Sequence, residues 1–216
     1  MELWLDTIDF SLISKSVNQI GVTGITTNPS ILSKSSLSAK ATIEKLLNIQ
    51  QGRVAVQVTA HNHETMIDQA KKLASVDPRI IIKVPVTDDG LHAINALSTI
   101  GIQTMATAIF EANQVLLSAM AGATYAAPYL AKIPGDNFQV IKDMLDVIEK
   151  YRYPLKLIVA AIRNKEHVIR TAKLGAHAIT IPSVPFKEFI GDLPETIQSI
   201  NQFEKDWSNS GKSLDF

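Results

Sequence analysis

The chain has 216 residues, with 46% apolar side chains, 21 basic against 21 acidic residues, five histidines and no cysteine. That length suits one domain with a substantial core and is short for two, and the apolar fraction excludes a disordered chain. Absence of cysteine excludes disulfides, thiolate nucleophiles and zinc–sulfur sites, and the dispersed, balanced charge argues against nucleic acid as a partner.

The first residues, MELWLDT, carry acids early and lack the basic and apolar stretches of a secretion signal. No run approaches the ~18 apolar residues of a membrane span, so a cytoplasmic protein without membrane attachment is expected. Short apolar, β-branched runs then recur along the chain. In order they are Leu3–Asp6, Val22–Thr27, Val54–Thr59, Ile80–Val86, Gln103–Ile109, Tyr125–Tyr129, Leu155–Ile162 and Ala178–Pro182. Between them, apolar residues fall at helical spacing: Met66, Ala70 and Leu73; Leu91, Ile94 and Leu97; Val115, Leu116, Ala119 and Met120, ending at Gly122; Val140, Ile141, Met144, Leu145 and Ile148; Val168, Ile169 and Ala172, ending at Gly175. The strands are nearly continuous apolar runs, as in a parallel sheet covered on its outer face. Eight βα units in this length predict an α/β fold, a (β/α)8 TIM barrel over residues 1–216. An open doubly wound sheet would place a glycine-rich turn after the first strand, where Thr7-Ile8-Asp9 stands instead.

Residues 186–216 exceed what a barrel needs and predict a C-terminal helical extension. Pro194 suits the first turn of its helix, and Ile197, Ile200, Phe203 and Trp207 form an apolar stripe. The stripe either covers the barrel or reaches a neighbouring subunit.

One feature of the strands points to chemistry. Lys83 lies inside the run Ile80-Ile81-Ile82-Lys83-Val84-Pro85-Val86. An apolar wall makes a charged amine costly and lowers its pKa, and a neutral amine attacks carbonyls. Other strand ends carry polar groups that converge on the same mouth of a barrel: Asp6, Thr26 with Asn28, Gln57 with Thr59, Thr107, Tyr129 and Arg163. In this reading Lys83 is the nucleophile and Asp6 positions the amine and moves protons. Tyr129 is the general acid/base, through a water held by Gln57 and Thr107. Thr26 and Asn28 bind substrate hydroxyls, and Lys132, Arg163 and the backbone near Ser183 would hold a phosphate. The five histidines, at 61, 63, 92, 167 and 177, show no metal-ligand spacing, so neither a metal nor a cofactor is expected.

Several segments together resemble the transaldolase-like family, particularly the fructose-6-phosphate aldolases. They are Leu5-Asp6-Thr7, Gly24-Ile25-Thr26-Thr27-Asn28-Pro29-Ser30, Gln57-Val58, Ile82-Lys83-Val84-Pro85, Thr107-Ala108-Ile109-Phe110, Ala119-Met120-Ala121-Gly122-Ala123, Ala127-Pro128-Tyr129 and Ile162-Arg163-Asn164. The likeness runs from the first residue to about 207 and implies a class I aldolase barrel, with Lys83 as the Schiff-base lysine and no metal. It implies a small sugar or sugar phosphate as substrate. It also implies a homo-oligomer, a decamer of two stacked pentameric rings whose C-terminal helix reaches onto a neighbour. Within the family, glutamine at 57 and tyrosine at 129 are aldolase features, where transaldolases carry glutamate and phenylalanine. The expected reaction is cleavage of fructose 6-phosphate, or a similar ketose, to dihydroxyacetone and glyceraldehyde 3-phosphate. The alternatives are a transaldolase and, in another class, a non-catalytic sugar-phosphate-binding or structural ring protein. Two departures bear on substrate affinity: Lys132 replaces a frequent arginine, and Ala161 replaces a common serine.

Overall fold

Residues 1–214 are described by a computed structural model. Eight parallel strands close into a barrel in chain order, β1 pairing with β8. The order is β1 (Glu2–Asp6), α1 (Phe10–Ile20), β2 (Gly24–Thr26), α2 (Pro29–Leu32), α3 (Ala39–Ile49), β3 (Arg53–Gln57), α4 (His63–Ala74) and β4 (Ile80–Pro85). It continues with α5 (Asp88–Thr99), β5 (Thr104–Ile109), α6 (Ala112–Met120), β6 (Tyr125–Pro128), a 3-10 turn at Leu130–Lys132 and α7 (Asn137–Tyr151). The chain then forms β7 (Lys156–Val159), α8 (Lys165–Lys173), β8 (Ala178–Pro182), α9 (Ser183–Phe189) and α10 (Pro194–Ser210). The (β/α)8 barrel with an extra C-terminal helix is the architecture the apolar runs predict. Of the extension expected over 186–216, residues 215 and 216 lie outside those described.

Successive strand residues point to opposite faces, which divides the apolar runs between two cores. Leu5, Ile25, Val54, Ile82, Leu157 and Ile179 face outward and are covered by the helices. Trp4, Ala55, Ile81, Met105, Tyr125, Ala127, Ile158 and Ala178 fill the barrel interior. The two large rings meet edge to face, 5.5 Å between centroids. Small residues around the barrel make room for them. A Cβ at Gly24 would lie 2.6 Å from the Trp4 ring, so glycine is required there.

The helices start where a side chain accepts an otherwise unpaired backbone N–H: Asp9 for α1, Ser38 for α3, Asn62 for α4, Thr87 for α5, Asp136 for α7 and Asn164 for α8. Each such helix therefore has a defined entry, and the loops before them are short. Several strands end earlier than the apolar runs suggest. β2 covers Gly24–Thr26 where Val22–Thr27 is predicted, and β7 covers Lys156–Val159 where Leu155–Ile162 is predicted. After β7 the cause is local: Ala161 takes φ 58, which turns the backbone out of the ladder. A second left-handed alanine, Ala108 at φ 58, produces the register shift between Thr107 and Ile109 of β5.

At the N-terminal mouth, polar side chains from four strands close over the rings. Glu2 accepts from Trp4 Nε1 (3.0 Å), Tyr125 OH (3.0 Å) and Lys156 Nζ (2.6 Å), while Arg53 donates to Tyr125 OH at 3.1 Å. Beyond β8, fully buried Phe186 anchors α9. By contrast α10 has no buried residue, and its stripe stands in the open, from 42% exposed at Ile197 and Trp207 to 68% at Phe203. No helix among the described residues is long and apolar enough to cross a membrane.

Candidate active site

The opposite, C-terminal mouth opens into a cavity of about 440 Å³. Side chains from all eight strands or the residues just after them reach it, which is the mouth where barrels of this class carry their chemistry. Lys83 enters from β4, in register with Gln57 of β3, and is 4% exposed. Its Nζ donates to the Thr27 carbonyl at 2.7 Å. Burial pushes the Lys83 amine below its usual range, and the Asp6 carboxylate acts in the opposite sense. An amine held by one carbonyl retains a lone pair that can be directed into the cavity.

Asp6, at the end of β1, stands beside Thr26 of β2 in the ladder. Thr26 Oγ1 donates to Asp6 Oδ1 at 2.6 Å and is 2.7 Å from Thr180 Oγ1. Across the cavity the Tyr129 hydroxyl lies 3.0 Å from Thr107 Oγ1, and its ring meets Phe110 edge-on at 5.8 Å. The Lys132 ammonium sits 4.9 Å from the centre of the Tyr129 ring. Asn28 lines the cavity too, but its Oδ1 caps α2 by accepting from Ile31 N at 2.9 Å, leaving the amide NH2 for a ligand.

The structure thus gathers Asp6, Thr26, Asn28, Gln57, Lys83, Tyr129, Lys132 and Arg163 around one cavity. Three predicted residues sit differently. Thr107 is fully buried behind Tyr129 and reaches the cavity through the phenol. The Ser183 hydroxyl is 2.7 Å from Thr7 Oγ1 and does not line the cavity. Thr59 is exposed because β3 has ended, and the turn after it is tied to Gln69, whose Oε1 accepts from Thr59 N at 2.9 Å. Ala161 does line the wall, so at the position where the family commonly has a serine this cavity has an alanine. Sequence reasoning missed Thr180, Met105 and Ser30. Thr180 had a signal, being the one polar residue in Ala-Ile-Thr-Ile-Pro. Its spacing places it on the inner face with Ala178 and Pro182.

Fold and cavity define the class: a closed (β/α)8 barrel with a desolvated lysine ringed by polar groups at its C-terminal mouth. Within that class the chain belongs to the transaldolase/fructose-6-phosphate aldolase family, which it matches over residues 3–214. Similar relatives include a probable transaldolase of Thermoanaerobacter, 36% identical over 99% of this chain and 100% of that one. Another is a probable transaldolase of Caulobacter, 34% identical over 99% of this chain and all of the relative. A probable transaldolase of Desulfotalea psychrophila is 37% identical over 96% and 98%. Family and fold are those of an enzyme of sugar-phosphate aldol chemistry, common to lyase and transferase members.

Proposed function

We propose that this protein is a class I aldol enzyme that forms a Schiff base between Lys83 and a ketose, with fructose 6-phosphate or a similar sugar as substrate. The observation that carries the reading is the buried Lys83 amine, lowered in pKa by its apolar wall, facing a cavity with Asp6 and Tyr129. The amine attacks the ketone carbon, and the carbinolamine loses its hydroxyl as water after a proton reaches that oxygen. Asp6 is the group suited to moving protons at this step. The resulting iminium takes up the electron pair of the bond between its α and β carbons as that bond breaks, while the hydroxyl on the β carbon gives its proton to the Tyr129-held water or to Asp6. An aldehyde departs and a three-carbon enamine remains on the lysine. Lys132 and Arg163, which make no ion pair among the described residues, are suited to the phosphate of the substrate.

Two fates of the enamine separate the readings. In the first, protonation and hydrolysis release dihydroxyacetone. Gln57, with no charge, and the Tyr129 phenol, oriented by Thr107, suit a held water that delivers this proton. In the second, the enamine attacks an acceptor aldehyde and the three-carbon unit is transferred. The names of the relatives favour this second reading, and on the comparisons it is the better supported. The site residues Gln57 and Tyr129 favour release. The whole chain would act as one catalytic unit in the cytoplasm, assembled through the exposed stripe of α10 into a homo-oligomer, with the paired pentameric rings of the resemblance as the expected form.

One experiment decides among these. Borohydride with dihydroxyacetone or fructose 6-phosphate should add covalent mass at Lys83 and none in Lys83→Arg. Unmodified wild-type protein removes the Schiff-base reading and leaves a binding or structural ring protein. With fructose 6-phosphate alone, glyceraldehyde 3-phosphate and free dihydroxyacetone indicate release. Product that appears only with erythrose 4-phosphate present indicates transfer. Under the release reading, Tyr129→Phe lowers turnover and leaves the Lys83 adduct trappable.

A further inference from the structure

Thr180 takes no part in the chemistry above, yet its hydroxyl is tied to the group that handles protons. It lies on β8, in register with Trp4, one inward-facing layer below Asp6, and is 2% exposed. Its Oγ1 is 2.7 Å from Thr26 Oγ1, which in turn donates to Asp6 Oδ1 at 2.6 Å. Proton counting fixes the direction of this chain. An ionised carboxylate only accepts, and a threonine hydroxyl has one proton. Thr26 commits its proton to Asp6, so the contact between the two threonines requires Thr180 to donate. Thr26, fully buried, then has both its donor and acceptor capacity engaged, and donation into it polarises the bond that it makes to Asp6.

We propose that Thr180 is a positioning residue, which fixes through Thr26 the orientation of the Asp6 carboxylate that exchanges protons with the Lys83 adduct. With Oδ1 held by Thr26, Oδ2 has no hydrogen-bond partner among the described residues and is the oxygen left for the cavity. Without the Thr180 hydroxyl, Thr26 loses the donor that fixes its rotamer and strengthens its bond to Asp6 Oδ1. The Asp6 carboxylate is then held less firmly and spends less time with its free oxygen aimed at the adduct. The loss falls on the proton-transfer steps of carbinolamine formation and dehydration, which need the carboxylate in place, and leaves sugar binding alone. The proposal rests on the Schiff-base reading above.

Thr180→Val keeps the shape and removes the hydroxyl, and Thr180→Ser keeps the hydroxyl and trims a methyl. Each is compared with wild type in steady-state turnover and in the rate and final yield of the borohydride-trapped adduct with dihydroxyacetone. The expected result for Thr180→Val is a fall of about tenfold in kcat and in the rate of adduct formation, with unchanged KM and final yield, and recovery in Thr180→Ser. Thr180→Ala serves as the second hydroxyl-free variant if Thr180→Val does not fold. Wild-type kinetics in the hydroxyl-free variant overturn the proposal, as does an equal fall in Thr180→Ser, which would mark a packing effect. A change confined to KM overturns it as well, because it would make Thr180 a binding group. If the wild type yields no adduct, the Schiff-base reading fails first, and this proposal falls with it.

Discussion

The two mouths of the barrel are built from the same strands and treat polar groups in opposite ways. At the N-terminal mouth, Glu2, Arg53, Tyr125 and Lys156 satisfy one another over two packed rings. Burial raises the Glu2 carboxyl, but the hydrogen bonds from Lys156, Trp4 and Tyr125 outweigh it and hold the group below its usual range. The Tyr125 phenol is pushed up to about 12, by burial and then by Glu2. Both shifts favour the protonation states that already fit the network. At the C-terminal mouth, Lys83 has a single carbonyl partner among the described residues, and burial works against its charge. Paired groups stabilise a fold, whereas an underpaired buried amine costs stability and supplies reactivity.

Three substitutions test that contrast. The largest effect is expected at Trp4, fully buried at the sealed mouth. Trp4→Ala should cost about 3–5 kcal/mol in denaturant unfolding, since the rigid barrel closes poorly over the void. An unchanged unfolding midpoint would show that the interior rings do not hold this end together.

Next comes Lys83→Met, of similar length and no charge. It should abolish the borohydride adduct and raise stability at neutral pH by about 1–4 kcal/mol, by analogy with apolar replacement of buried charge. The sign follows from linkage. A folded-state pKa below 10.5 means that the unfolded chain binds the proton more tightly, so the penalty lies at low pH and fades as pH rises toward 10.5. The gain from Lys83→Met should shrink over the same range. A less stable Lys83→Met would mean that the amine is a structural member of the mouth, and the contrast would fail.

The smallest effect belongs to Glu2→Gln, read as melting temperature against pH. A carboxyl lowered from 4.5 contributes stability that is complete above that value and lost as pH falls through its folded pKa. Wild type should therefore lose more stability than Glu2→Gln on acidification across this window. Parallel curves would show that the network at the closed mouth is not held by its charge.

How legible each region was in the sequence follows from the range of its contacts. Lys83 stood out because a lysine among isoleucines and valines contradicts its local pattern. Strands and the start of α10 were legible for the same reason, since apolar runs and Pro194 are local signals. Thr180 was legible in position alone, as the one polar residue of its strand; its role appears only when Thr26, 154 positions away, comes alongside. The Glu2–Tyr125–Lys156 closure was invisible on the same grounds. Thr59 misled through alternation: two residues after Gln57 it would share the inner face, had the strand continued. The early end of β7 depends on one dihedral angle at Ala161, and an alanine gives no notice of it.

That dihedral restricts which residues can ever form this part of the cavity wall. At φ 58 a side chain meets its own backbone, at a cost of about 1–2 kcal/mol for most residues, and β-branched residues suffer most. Valine, isoleucine and threonine are therefore poor replacements at 161, however well their volumes might complement a ligand. Glycine relieves the strain, and asparagine and aspartate tolerate it. A library that searches for new acceptor specificity at this wall is thus filtered first by the main chain. Glycine and short polar variants start with the backbone in their favour, and each bulky apolar variant starts from a deficit of about 1–2 kcal/mol that its contacts to the ligand must first offset.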